Sequence, residues 1–199
     1  NPAYVFPTAG NHQVKLAVTD NSGCSNSVTK TVTIIAKPVA KFSFQQPVCS
    51  QSEVLFNNIS DATPGTVLTS TWDFGDGNSK TVTALTAVSH KYVAPGVYHV
   101  KLTIFTSDGC SNSTTMVVNI IAEPKANFNV QASCLNSPVQ FTDLSLAGAG
   151  SVSSWNWNFG DVNSGSNTAA IQHPSHTYTA PGSYQVTLIV SNNGGCTDT

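Results

Sequence analysis

Short runs of strictly alternating apolar and polar residues recur along the chain. Tyr98, Val100, Leu102 and Ile104 alternate with His99, Lys101 and Thr103, and the beat returns as Tyr184, Val186, Leu188, Val190 and as His12, Val14, Leu16, Val18. A period of two places the apolar set on one face of an extended strand. Phe42 and Phe44, then Val54 and Phe56, then Ser70, Trp72 and Phe74 follow the same rule. Thr, Val and aromatic residues fill these runs, which suits a half-buried pleated surface. No stretch carries the stripe of an amphipathic helix. Gly75-Asp76-Gly77 predicts a tight hairpin turn between two such runs. The expectation is an all-β protein.

The alternating runs are themselves repeated. Gly-Cys occurs at Gly23-Cys24, Gly109-Cys110 and Gly195-Cys196, each pair 86 residues from the next. Gly10, Gly96 and Gly182 keep that step, as do Phe6, Tyr92 and Tyr178. Trp72 and Trp157 are 85 apart, as are Cys49 and Cys134, so the loops vary by one residue. A fixed period of this kind marks an array of like units. The period predicts a C-terminal remnant of one module at 1–37, a complete module at 38–123, and at 124–199 a module lacking its last strand. A chain that opens and closes inside repeats is expected to be part of a longer one. The remnant is expected to have no core of its own, because an isolated hairpin is marginal in water. In the third module the strand bearing Tyr184 to Val190 is expected to keep an unpaired edge that invites another strand.

Composition narrows the function classes. Only 9% of the 199 residues are charged and there is no Arg, so Ser, Thr and Asn supply the polarity. A formal net charge of −2 with eight scattered Lys gives nucleic acid no basic patch. No apolar run approaches the roughly 20 residues that span a bilayer, so no membrane insertion is expected in this segment. Five Cys in loop-like settings point to an oxidising, extracellular compartment.

The complete module holds about seven short strands, the pattern of an immunoglobulin-like sandwich. Its motifs are specific: Trp72-Asp73-Phe74-Gly75-Asp76-Gly77, His90-Lys91-Tyr92, and Pro95-Gly96-Val97-Tyr98-His99-Val100-Lys101-Leu102. They resemble the PKD domain, the polycystic-kidney-disease repeat. The third module repeats them as Trp157-Asn158-Phe159-Gly160-Asp161, His176-Thr177-Tyr178 and Pro181-Gly182-Ser183-Tyr184, departing at Asn158 for Asp and at Val162 for Gly. The resemblance implies tandem immunoglobulin-like (PKD) β-sandwich modules. It leaves function open, since such modules occur in adhesins, receptors and secreted hydrolases. Low-charge arrays with paired Cys resemble repeats of large bacterial surface proteins, which implies extracellular attachment at the cell surface.

Each candidate site has a plainer structural counterpart. Asp73 and Asp76 are two hard ligands where calcium takes 6–8 oxygens, and both suit a hairpin turn as acceptors of backbone N–H groups. His90 and His176 lack partners at zinc spacing, and a ring bonded to a neighbouring loop is the expected role. Trp155 and Trp157 share a strand face. They could stack on a sugar ring, but Trp157 aligns with the core Trp72 and Trp155 with the inward Ser70. No nucleophile–base motif or phosphate loop is present, so neither catalysis nor a cofactor or metal is expected.

The cysteines admit two pairings. Within modules, Cys49 would join Cys110 and Cys134 would join Cys196. Counting strand directions through the immunoglobulin order places the loops of Cys49 and Cys110 at opposite ends of their module. A seven-residue strand spans roughly 23 Å, whereas a disulfide needs Cα atoms within about 7 Å. The top of one module meets the bottom of the next, so the count favours Cys49 with Cys196 across modules. Cys24, Cys110 and Cys134 would then have mates in further modules.

The expected function is a non-catalytic stalk of a large cell-surface protein, a gliding or attachment adhesin. Its partners would be further PKD-like modules of the same chain, with polysaccharide or protein ligands held elsewhere. One alternative is an accessory binding or spacer module of a secreted polysaccharide- or protein-degrading enzyme. Another is a strand-donating subunit of a surface filament. The predicted core of 38–123 is Phe56, Trp72, Tyr98, Val100 and Leu102.

Overall fold

The computed structural model describes residues 2–63, 65–131 and 133–199. All regular structure among them is strand. β1 (Gly10–Thr19) and β2 (Ser25–Ile34) form an antiparallel hairpin paired at ten positions. No described residue of 2–37 is buried, and Val14, Leu16, Val18, Val28 and Val32 are exposed.

The span expected to be the complete module, 38–123, holds β3 (Phe42–Ser43), β4 (Val48–Cys49), β5 (Glu53–Asn58), β6 (Val67–Asp73), β7 (Ser79–Thr83), β8 (Val88–Lys91), β9 (Gly96–Thr106) and β10 (Ser111–Ile121). Hydrogen bonding orders them as β3-β5-β8 and β4-β10-β9-β6-β7. The span expected to be the third module, 124–199, holds β11 (Phe128–Val130), β12 (Pro138–Asp143), β13 (Val152–Asn158), β14 (Thr168–Ala169), β15 (Ser175–Thr177), β16 (Thr187–Asn192) and β17 (Thr197–Asp198). Its sheets run β11-β12-β15 and β14-β13-β16-β17. By packing, the chain divides into two compact units: Asn1–Ser43 with Phe56–Val88 and His99–Met116, and Phe44–Leu55 with Ser89–Tyr98 and Val117–Thr199.

Alternation along β5 buries Val54, Phe56 and Asn58 and exposes their neighbours. Trp72 is fully buried, with Phe42 edge-on at 5.2 Å and Phe56 at 5.8 Å. The third module repeats the cluster, with Trp157 meeting Phe128 at 5.2 Å and Phe141 at 5.7 Å. A buried aromatic of this size removes on the order of 200 Å² from water, which stabilises by about 5 kcal/mol. Phe56, Val100 and Leu102 lie in the core as expected. Tyr98 does not: it is half-buried, packs against Tyr92 at 4.4 Å, and donates its hydroxyl to the Ala94 carbonyl at 3.0 Å. Its phenol oxygen needs a partner, so the ring stays at the rim where a backbone carbonyl is available.

The glycine after each Trp-x-Phe is fixed by geometry. Gly75 has φ of 78°, and a Cβ there would fall 2.8 Å from the His99 carbonyl oxygen. Gly160, at φ of 73°, meets the Gln185 backbone in the same way. Only glycine tolerates both the left-handed backbone and the close approach.

Candidate functional site

The molecule concentrates its unusual chemistry where the chain passes from the complete module into the third. The turn from β16 into β17 is Asn193-Gly194-Gly195-Cys196. Gly195 has φ of 86°, matching Gly23 at 85° and Gly109 at 78°, so each Gly-Cys pair is a left-handed turn residue followed by a cysteine. Asn192 builds the turn: its Oδ1 accepts the Gly194 and Cys196 N–H groups, both at 3.1 Å. Its Nδ2 donates to the carbonyls of Ala122 and Ala147, both at 3.0 Å, which ties the turn to the linker. Thr106 and Asp20 hold the equivalent turns through Cys110 N and Cys24 N. An amide offers two donors beside its acceptor, so Asn192 caps the turn and binds the linker at once, whereas the hydroxyl of Thr106 spends its one donor on the Cys110 carbonyl at 3.1 Å and the Asp20 carboxylate has none.

Beside this turn lie Pro47 and Cys49. Cys49 is bonded to Cys196 across 147 residues of chain, with Cα atoms 5.8 Å apart. The within-module pairs Cys49–Cys110 and Cys134–Cys196 are therefore not formed, and Cys24, Cys110 and Cys134 are free thiols. The physical reason is strand direction, since each module's two cysteines lie at the ends of oppositely running strands. β4 pairs in parallel with the end of β10, Ile121 opposite Cys49, which carries the last strand straight to the staple. Ser50 N donates to the Ile121 carbonyl at 2.8 Å, and Ser50 Oγ accepts from Glu123 N at 3.3 Å. Past the linker, Asp198 Oδ2 accepts the Ala126 N–H at 2.8 Å. Backbone, side-chain and covalent links thus converge on residues 121–126.

The remaining sequence candidates are placed in structural roles. Asp73 Oδ1 accepts Gly75 N at 3.0 Å, and Asp76 Oδ1 accepts Asn78 N at 3.0 Å. Asn158 Oδ1 accepts Gly160 N at 2.9 Å, so the position calls for an acceptor, not a charge. Phe74 N closes the first turn onto Asn78 O, while Phe159 N bonds Asn167 O across a longer loop. Asp161 binds His176 Nε2 at 3.1 Å, and the His176 ring stacks flat on Phe159 at 4.6 Å. His90 packs edge-on to Tyr92 at 4.7 Å. Trp157 is core; its indole N–H donates to the Ile171 carbonyl at 2.9 Å. Trp155 is half-buried, and its N–H donates to Asp143 Oδ2 at 2.8 Å.

Asp143 itself escaped the sequence reading. Burial works against its charge, but hydrogen bonds from Ser145, Trp155 and Gln172 outweigh it and hold the carboxyl below its usual range. The aligned pair in the complete module is Asn58 and Ser70, joined Nδ2 to Oγ at 2.8 Å. A paired exchange, Asn with Ser for Asp with Trp, was the available signal.

The family model of the PKD domain matches residues 35–120 and again 121–199. The chain belongs to the PKD domain family. It consists of tandem PKD repeats with immunoglobulin-like β-sandwich architecture, here joined by a disulfide. Among solved structures, it is similar to the PKD1 domain of the Vibrio cholerae metalloprotease PrtV, at 27% identity and a TM-score of 0.38, over 43% of this chain and 98% of that one. The PKD1 domain of Vibrio anguillarum Epp is 29% identical with a TM-score of 0.39, over 43% of this chain and 95% of that one. The fibronectin(III)-like modules of Clostridium thermocellum CbhA are 14% identical with a TM-score of 0.43, over 80% of this chain and 90% of that one.

Proposed function

We propose that the chain is a load-bearing spacer of a large extracellular, cell-surface protein, with modules bounded at 1–37, 38–123 and 124–199. The observation that carries this reading is the Cys49–Cys196 staple. A disulfide inside one sandwich constrains that sandwich, but one that skips across the linker constrains the series. Pulled from its ends, the chain passes force from Cys49 directly to Cys196, and residues 50–195 lie inside a closed covalent loop. Repetition at the Cys110 and Cys134 positions would overlap such loops along an array. Each junction would then hold its length under tension even after a sandwich opened. The low charge and the aromatic side chains committed to cores fit a spacer better than a ligand-gripping or catalytic surface.

Single-molecule stretching from both ends tests this. Full extension is about 3.5 Å per residue. The oxidised chain should therefore release roughly 500 Å less contour length than the reduced chain, because the bonded cysteines are 147 positions apart. Equal release in both states would end the load-bearing reading.

A further inference from the structure

The turn that carries Cys196 also carries the chain's one Asn-Gly step, Asn193-Gly194. Asn193 is exposed to solvent, but its amide is held. Its Oδ1 accepts the Ser151 N–H at 3.3 Å, and its own N–H donates to the Ser151 carbonyl at 3.0 Å. Gly150, with φ of 65°, lies against that amide, where a Cβ would collide with Oδ1. Gly194 has its own reason to lack a side chain: a Cβ there would fall 2.7 Å from Ile121 Cγ2. Its N–H points to Asn192 Oδ1 at 3.1 Å. The complete module builds the same frame from different groups. Ser107, aligned with Asn193, donates its N–H to the Thr66 carbonyl at 2.9 Å, and its Oγ accepts the Thr66 N–H at 3.4 Å. Asp108 stands where Gly194 does. A serine offers no carbonyl carbon to attack, and the aspartate that follows shields the main-chain nitrogen. The third module has replaced both.

We propose that Asn193 is a self-deamidation site, assisted by the Ser151 N–H. Gly194 N attacks Asn193 Cγ. The new N–C bond closes a succinimide ring, and the side-chain nitrogen leaves as ammonia, taking the proton of the Gly194 N–H. Negative charge gathers on Oδ1 in the tetrahedral intermediate. The Ser151 N–H already aimed at Oδ1 stabilises that charge, as an oxyanion donor does. Water then opens the ring. Addition at Cγ gives an ordinary aspartate. Addition at the main-chain carbonyl carbon routes the backbone through Cγ and gives isoaspartate. No electrons are transferred, and water is the sole co-reactant. The isoaspartyl form inserts an extra carbon into the main chain between Asn192 and Gly194. Asn192 Oδ1 then no longer reaches both Gly194 N and Cys196 N, so the cap on the disulfide-bearing turn opens.

The test is mass mapping of the oxidised full chain during incubation at mildly alkaline pH. The segment holding Asn193 should pass through a succinimide to a mixture of aspartate and isoaspartate. Its conversion should outpace that of Asn21, which aligns with Asn193 but precedes Ser22, by about tenfold or more. Asn193→Ser, which copies Ser107 of the complete module, should abolish ammonia release from this segment. In denaturant, where the Ser151 contact is lost, the Asn193 rate should fall severalfold. Amide hydrogen exchange at Gly194 and Cys196 should quicken in the isoaspartyl fraction. An Asn193 that stays intact, or converts no faster than Asn21, overturns the proposal. A rate that holds or rises in denaturant also overturns it, since the step would then owe nothing to Ser151.

Discussion

Val100 and Val186 hold the same place in the 86-residue repeat, yet one is fully buried and the other is not. The same contrast separates Tyr92 from Tyr178 and Phe42 from Phe128. Nothing comparable separates Trp72 from Trp157, Phe56 from Phe141, or Phe74 from Phe159, all at most 2% exposed. The sandwich therefore has two parts. A nucleus of interlocked aromatics is fully buried in both modules, whereas the flank is fully buried beside β10 and half-buried beside the two-residue β17.

Four predictions press on that division. Trp72→Ala and Trp157→Ala should each cost about 3–5 kcal/mol, because both leave a large cavity in an equally buried nucleus. Denaturant titration of each variant measures it, and a much smaller cost at Trp157 would break the claim that the two nuclei are equivalent. Gly75→Ala and Gly160→Ala should each cost about 1–3 kcal/mol from left-handed backbone strain, with further loss from the clash with the facing strand. Val100→Ala should cost about 2 kcal/mol but Val186→Ala less than about 1, since transfer energy scales with the area buried. Equal costs would mean the flank of the third module is already closed.

The smallest effect separates the modules by charge. Asp143→Asn should cost about 1 kcal/mol, because an amide nitrogen then faces a donor that the carboxylate accepted. The carboxyl of Asp143 is held below its usual range in the folded state. Its contribution is therefore fully present above the unfolded value near 3.9 and is lost as pH falls through the lower folded value. The third module should lose stability on acidification below about pH 4. Asp143→Asn should remove the part of that dependence that arises at this position, which the complete module, with Asn58 there, lacks; Asp61 of that module is held below its usual range by hydrogen bonds from Thr63 and keeps its own. Thermal melts from pH 7 down to about pH 2 decide it.

Much of this was legible in the sequence because it rests on periodicity. The alternation in β9 and β16, the recurrence of Trp72 and Trp157, and the Gly-Cys turns all follow from patterns a reader can count. The cross-module direction of the staple followed from strand order alone. What was hidden depends on single atoms. Tyr98 fits the inward beat but is held at the rim by its hydroxyl. Trp155 fits the same face yet is placed by its N–H on Asp143, and no periodicity signals that Asp143 replaces Asn58 as the buried acceptor. Asn192 was equally invisible, since its value lies in donating to the linker while accepting within its own turn.

The claim on which the account rests is that the covalent bond skips the linker. Peptide mapping of the unreduced chain tests it most directly. Cleavage after Lys yields segment 42–80 with Cys49, segment 102–125 with Cys110, and segment 126–199 with both Cys134 and Cys196. Further cleavage at aromatic residues separates Cys134 from Cys196. The account predicts one linked species joining the Cys49 and Cys196 peptides, with Cys110 and Cys134 alkylated as free thiols. Recovery of Cys49 linked to Cys110, or of Cys134 linked to Cys196, would contradict it.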